Sequence, residues 1–188
     1  MKRKDFEVMA PVGSYESLEA ALQAGANSVY FGVEGLNMRS RSSANFTLDD
    51  LRNIVERCNV REVKTYLTVN TIIYNNELDK MHQVIECAKD AGVSAIIASD
   101  IAAILYARSI GVEVHISTQC NITNYEAVKF YAQFADVVVL ARELDIAIAI
   151  GENYFTRHQF YDVLRVNWSR SRCSLTGHCA WRFRVNVI

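Results

Sequence analysis

The chain has 188 residues, of which 51% are hydrophobic and 22% charged, values typical of one soluble globular domain. A formal net charge of −1 excludes an overall electrostatic attraction to nucleic acid or to a membrane surface. No apolar run reaches the ~18 residues of a membrane span, and the basic start "MKRKDFEVMAPVG" lacks the apolar segment of a secretory signal.

From Glu7 to Arg142, short apolar runs alternate with amphipathic segments of helical period. The predicted strands are EVMAPV (7–12), SVYFGV (28–33), VKTYLTVN (63–70), SAIIAS (94–99), EVHIST (113–118) and DVVVLA (136–141). The helices between them have Ser14, Thr47, Asn76 and Asp100 as predicted N-caps, and Gly25, Gly92 and Gly111 as predicted helix ends. Cys58, Cys87 and Cys120 lie inside these apolar segments, which predicts buried free thiols in a reducing cytoplasm.

Strict alternation of strand and helix, with strands apolar on both faces, predicts a parallel sheet covered by helices. No G-x-G-x-x-G sequence follows the first strand, which disfavours a doubly wound dinucleotide fold. We therefore predict the α/β class and an incomplete TIM-like (β/α) barrel of about six units, followed by an irregular C-terminal tail. Six units cannot close a barrel, so we expect two exposed edges and self-association through them.

Polar residues collect after the predicted strands, where the active sites of barrels lie. In "HISTQCNITN" (115–124), alternation places His115 and Ser117 on one face of the strand. Such a cluster can hold a polar ligand, and His115 can act as an acid or base at neutral pH. The structural alternative is a loop that caps the next helix, with His115 satisfied in the core.

Two further loops offer charged groups. Arg39 and Arg41 follow the second strand, and their guanidinium groups can bind a carboxylate or phosphate of a substrate. The alternative is that they belong to a solvated loop without a binding role. Arg142 and Glu143 lie at the end of the sixth strand. They could both belong to the substrate site, or they could form a salt bridge with a purely structural role. The complete set of candidate substrate-binding residues is Arg39, Arg41, Asn45, Asn70, Asp100, His115, Ser117, Gln119, Asn121, Asn124, Arg142 and Glu143. We identify no catalytic residue and no metal site in the sequence.

The segments "MAPVGSYESLEAALQAGANSVYFG", "RSRSSANFTLDDL", "TVNTIIYNNEL", "HISTQCNITNYEAVKFY" and "VVLAREL" resemble the N-terminal half of the collagenase-like peptidases. The resemblance runs from about Glu7 to Leu144. It implies a barrel-like domain and two alternative activities, proteolysis or the hydroxylation of a base in transfer or ribosomal RNA. It also implies peptide or RNA as substrate, and an iron–sulfur cluster on cysteines that lie downstream of the matched region in intact members.

After Leu144 the sequence departs from the family. Residues 1–150 hold 14 Lys/Arg and 19 Asp/Glu, whereas residues 151–188 hold six Arg, no Lys and two acids. The segment "RCSLTGHCAWRFRVNVI" can be back-translated into DNA by choosing among the permitted codons. When that DNA is translated in the reading frame that starts one base earlier, it can encode the segment that the family would have at this place. We therefore predict a family portion at 1–144 and a frame-shifted tail at 145–188, with an RNA-binding arm or a divergent tail as alternatives.

These patterns lead to three functional hypotheses. The first is a truncated member of the collagenase-like peptidase family with protease activity. The second is an RNA base hydroxylase, and the third is an inactive fragment. The C-x₅-C spacing of Cys173 and Cys179 with one neighbouring His matches no usual structural zinc site, so we expect no metal in this chain. We also expect no other cofactor in this chain. Because no apolar run is long enough to span a membrane, we expect no membrane partner.

Overall fold

The computed structural model describes residues 6–33, 35–36, 46–141, 171–174 and 182–184. Within residues 6–141, the described part of the chain has six strands that run in chain order and pair in parallel with their sequence neighbours. They are β1 (Phe6–Pro11), β2 (Ser28–Phe31), β3 (Lys64–Val69), β4 (Ala95–Ala98), β5 (Val114–Ile116) and β6 (Val137–Val139). The predicted incomplete (β/α) barrel is therefore confirmed.

In the described ranges, five α-helices lie between these strands: α1 (Tyr15–Gln23), α2 (Asp50–Asn59), α3 (Leu78–Ala91), α4 (Ile101–Ser109) and α5 (Tyr125–Tyr131). Short 3₁₀ turns at Asn75–Glu77 and Thr118–Cys120 precede α3 and follow β5. Ser14 and Asp100 cap α1 and α4 as predicted. The other two predicted caps are wrong, because α2 follows Asp49 and α3 follows Glu77.

The two faces of the sheet have different compositions. The face toward the helices packs a large aliphatic core that includes Val29, Leu67, Ile96, Ile104 and Ile116. The inner face carries a second, smaller cluster of Met9, Tyr66, Ala95 and Ile97. Because side chains alternate along a strand, buried polar residues can face the barrel interior between these apolar ones. Those polar residues include Glu7, His115 and Ser117.

The two outer strands of the six-stranded barrel portion, β1 and β6, each have a further strand beside them. A seventh strand, β7 (Ser171–Ser174), pairs in parallel with β1, and an eighth, β8 (Arg182–Arg184), pairs antiparallel with β6. The edges of the described sheet thus belong to two short strands of the tail. These strands take up the backbone hydrogen-bonding groups that six strands alone would leave unpaired. The eight-stranded sheet still ends in two edge strands, and self-association through sheet edges stays a prediction.

No helix in the described ranges combines the length and the apolar character needed to cross a lipid bilayer.

Candidate functional site

The site lies where the connections leave the carboxyl ends of β3, β4 and β5. Asn70 directly follows β3, Asp100 follows β4 by two residues, and Ser117 directly follows β5. Because these strands are parallel and adjacent, their carboxyl ends lie at one edge of the sheet. The structure therefore brings three of the predicted site residues to the same face of the barrel.

Asp100 accepts hydrogen bonds both from the connection after β3 and from the start of α4. Its Oδ1 accepts the backbone N–H of Ala102 at 2.8 Å and so caps α4. Its Oδ2 accepts the backbone N–H of Ile73 at 3.2 Å, in the connection that follows β3. Both carboxylate oxygens thus bind the protein's own backbone, and Asp100 holds the β3–α3 connection against the start of α4.

The residues after β5 form a tight turn. The Ser117 hydroxyl accepts the N–H of Gln119 at 3.3 Å, and the 3₁₀ turn ends at Asn121 in the left-handed conformation, with φ at 48°. Asparagine tolerates this conformation better than most residues. Gln119 and Asn121 are exposed on the turn, so their side-chain amides face solvent. Asn124 instead accepts the N–H of Ala127 at 3.0 Å and caps α5.

His115 lies inside the barrel with no exposed surface. Its Nε2 lies 2.9 Å from Oε1 of Glu113, the residue directly before β5, so the tip of the ring is turned toward the start of the strand. The imidazole also packs on the Tyr66 ring, with 4.9 Å between the ring centroids. His115 is therefore satisfied within the barrel, in agreement with the structural alternative considered for it.

The interior polar network extends to Glu7, which the sequence reasoning did not select. The Tyr66 hydroxyl donates a hydrogen bond to Oε1 of Glu7 at 2.8 Å, and both residues are buried. The sequence did contain a sign of this network, because Glu7 is an acidic residue in the otherwise apolar strand of residues 6–11. A buried polar group needs a hydrogen-bond partner, so such a residue predicts a polar contact in the interior. Glu7, Tyr66, His115 and Glu113 thus link β1, β3 and β5 through the interior.

Among the thiols that the structure describes, that of Cys120 belongs to the turn after β5. Its Sγ donates to the carbonyl oxygen of Ser99 at 3.5 Å, and its pKa is raised by burial, an effect that a hydrogen bond with Tyr131 partly opposes. A thiol with a raised pKa is protonated at neutral pH and is a weak nucleophile. Cys120 therefore fits a structural role in the turn after β5.

The described residues do not fit an iron–sulfur cluster or a metal ion. No group of three His, Cys, Asp or Glu side chains in the described ranges could hold a metal. Cys58, Cys87 and Cys120 lie in α2, in α3 and in the turn after β5, and burial raises the pKa of Cys58 to about 11. Cluster ligands are thiolates, which such burial disfavours.

Several predicted site residues fall outside the described part of the chain. These residues are Arg39, Arg41, Asn45, Arg142 and Glu143. Their predicted roles stay predictions, and so does the boundary placed at Leu144.

The comparisons with known proteins identify a family. The sequence model described as peptidase family U32 matches residues 13–149. A protein of Porphyromonas gingivalis named "Collagenase" is 64% identical over 146 residues, which are 78% of this chain and 35% of that protein. "tRNA hydroxylation protein P1" of Bacillus subtilis is 36% identical over 140 residues, covering 73% of this chain and 33% of that protein. The chain thus spans about a third of the length of these relatives.

A solved structure has the same fold. The U32 peptidase Mk0906 superposes with a TM-score of 0.62 over 82% of this chain and 68% of its own, at 12% sequence identity. At this level of identity the likeness concerns the fold.

Proposed function

Because the chain belongs to peptidase family U32, we propose that it forms the N-terminal, substrate-binding part of an enzyme that hydroxylates a base in transfer RNA. The similarity to the Bacillus subtilis protein named for tRNA hydroxylation supports this activity. We place the substrate at the carboxyl ends of the strands, beside Asn70, Gln119 and Asn121. We expect the protein to act in the cytoplasm, where transfer RNA is found.

The observation that carries the proposal is the chemistry of the groups at this face. Gln119 and Asn121 present neutral amides, which can donate to and accept from the edge of a base. The hydroxyl of Ser117 and the thiol of Cys120 are engaged by Gln119 and Ser99. His115 is turned away toward Glu113. These groups therefore suit the recognition of a polar ring better than nucleophilic attack on a peptide bond.

Insertion of an oxygen atom into a base needs a redox centre, which the family resemblance implies to be an iron–sulfur cluster. The described residues do not fit one, so we derive no chemical step through it. In this proposal the described residues bind and orient the base, and the redox centre belongs to another part of the protein.

Proteolysis is the second candidate. The 64% identity to the Porphyromonas gingivalis collagenase favours it, since this is a far higher identity than that to the tRNA hydroxylation protein. In that case the exposed amides of Gln119 and Asn121 would hold the peptide backbone of the substrate.

The two candidates differ in product. We would express the 188-residue chain in a bacterium that lacks its own tRNA hydroxylation proteins. In parallel we would express a chimera in which residues 13–149 replace the matching segment of the Porphyromonas gingivalis relative. Mass spectrometry of nucleosides from total tRNA would detect one added oxygen, and gelatin cleavage would be assayed with the same purified proteins.

We expect the chimera to restore a hydroxylated nucleoside and the variant Gln119→Ala to reduce its yield. A Thr123→Ala variant, changed in the same connection at a residue with no proposed substrate contact, is the matched control. Gelatin cleavage by the chimera without any hydroxylated nucleoside would replace the proposal with the peptidase alternative.

A further inference from the structure

The connection after β3 presents two large apolar side chains to solvent. Ile72 is 73% exposed and Tyr74 is 65% exposed, whereas Ile73 between them packs against the main core. Tyr74 has an extended backbone, with φ at −90° and ψ at 160°. The exposures alternate along the segment, with Ile73 facing the core and its two neighbours facing solvent at the carboxyl-end face of the barrel.

Two carboxylates hold this segment in place. Oδ2 of Asp100 accepts the N–H of Ile73 at 3.2 Å, and Oε2 of Glu77 accepts the N–H of Tyr74 at 3.0 Å. Consecutive backbone groups are thus anchored to two different elements. A segment fixed in this way loses little conformational entropy when a ligand binds to its exposed side chains.

A cation lies next to this segment along the chain. Lys80, in the first turn of α3, is exposed, and its ammonium group lies over Gly35 in the connection after β2. Gly35 has φ at +94°, and a Cβ atom there would collide with the Lys80 ammonium. Lys80 therefore brings the first turn of α3 against the connection after β2 and places a positive charge at the same end of the barrel.

We propose that Tyr74 and Ile72 form a stacking surface for an unpaired RNA base, and that Lys80 contacts the RNA phosphate backbone. The inference rests on the proposed function and identifies the residues that hold the substrate. An exposed aromatic ring beside an aliphatic side chain accepts the flat face of a base, as in single-strand-binding proteins. The Lys80 ammonium, at the same end of the barrel, provides the positioning contact to phosphate that sequence-independent binding requires.

The net charge of −1 bears on the expected salt dependence. An overall attraction to RNA is excluded, so stacking has to contribute most of the affinity. We therefore expect binding of a single-stranded RNA to fall only slightly as the salt concentration rises. Replacement of Lys80 should reduce the slope of that dependence by about one charge.

The test measures binding of the 188-residue chain to a fluorescent single-stranded RNA of about 12 nucleotides, a length within the usual footprint of such proteins. The variants are Tyr74→Ala, Tyr74→Phe, Ile72→Ala and Lys80→Gln. Val60→Ala is the matched control, because Val60 is 86% exposed but follows the end of α2, at the opposite end of the barrel. A second arm uses denatured collagen peptides, and photocrosslinking of RNA containing 4-thiouridine identifies the contacting residue.

We expect Tyr74→Ala to weaken RNA binding by about 5- to 150-fold, the range for loss of one stacked base. Tyr74→Phe and Val60→Ala should bind as the unchanged chain does, and the crosslink should map to residues 72–74. Equal RNA affinity of the unchanged chain and Tyr74→Ala would overturn the inference while leaving the proposed function in place. Absence of RNA binding by the unchanged chain, or binding of collagen peptides alone, would contradict both.

Discussion

Asp100 accepts the backbone N–H of Ile73 at 3.2 Å, so a residue after β4 determines the position of the connection after β3. The same carboxylate caps α4 through Ala102. The sequence suggested Asp100 both as an N-cap and as a substrate ligand, and the structure places its two oxygens on backbone groups. Asp100 is thus a positioning residue for Ile72 and Tyr74, which flank Ile73.

Asp100→Ala should remove both the cap and the anchor. We expect a loss of about 1–2 kcal/mol in the free energy of unfolding, measured by urea denaturation, since N-cap replacements cost this much. Asn124→Ala is the matched control, because Asn124 caps α5 through Ala127 alone. Hydrogen exchange at residues 71–77 should accelerate in Asp100→Ala and stay unchanged in Asn124→Ala. Unchanged exchange in both variants would show that Asp100 does not hold the segment.

Tyr15 and Asp50 tie α1 to the start of α2. The Tyr15 hydroxyl donates to Oδ1 of Asp50 at 2.6 Å. This hydrogen bond lowers the pKa of Asp50 below its ordinary 3.8 and raises the pKa of Tyr15 above 10.0. The stability from Asp50 is present above pH 3.8 and is lost as the pH falls through its lowered pKa. The stability from Tyr15 is present below pH 10.0 and is lost as the pH rises through its raised pKa.

Tyr15→Phe should therefore destabilise the protein by about 1 kcal/mol near neutral pH, because the pair is only partly buried. The difference from the unchanged protein should shrink at both pH extremes in urea titrations. Tyr74→Phe, with its exposed ring, serves as the control. A difference that stays constant down to the acid limit would indicate that the hydroxyl does not bind the Asp50 carboxylate.

The buried pair of Tyr66 and Glu7 should be energetically coupled. Tyr66→Phe removes the hydroxyl that donates to Glu7 and should cost about 1–3 kcal/mol of unfolding free energy. In a double-mutant cycle with Glu7→Leu, which removes the accepting oxygens, the two effects should deviate from additivity by about 0.5–3 kcal/mol, as contacting residues do. Strict additivity in urea denaturation would contradict the contact.

Cys58 should be the least reactive of the described thiols. Burial raises the pKa of its thiol to about 11, so roughly one molecule in a thousand carries the thiolate at pH 8. We expect iodoacetamide to label the partly exposed Cys87 first in the native protein and Cys58 last, as followed by peptide mass spectrometry. The stability that the protonated Cys58 contributes should be fully present below pH 9.0 and decline as the pH rises toward 11. Rapid native labelling of Cys58 would contradict its burial.

The sequence by itself determined the alternation of strand and helix, the parallel sheet and the carboxyl-end location of the polar residues. These features are local, because hydrophobic period and capping residues depend on neighbours in the chain. The face shared by His115 and Ser117 followed from strand alternation in the same way. The family was recognisable for a similar reason, since its motifs are short and contiguous, and the match to residues 13–149 confirms it.

Only the tertiary structure decided what the polar groups bind. His115 turns toward Glu113 and packs on Tyr66 from β3, a contact between residues that are far apart in the sequence. Asp100, after β4, accepts a hydrogen bond from Ile73, after β3. The strands β7 and β8 of the tail pair with β1 and β6, the outer strands of the six-stranded sheet. Such pairings depend on how the curled sheet brings distant segments together, and hydrophobic period carries no information about them. The physical reason is that a buried polar group takes whichever partner the packing places within hydrogen-bond distance.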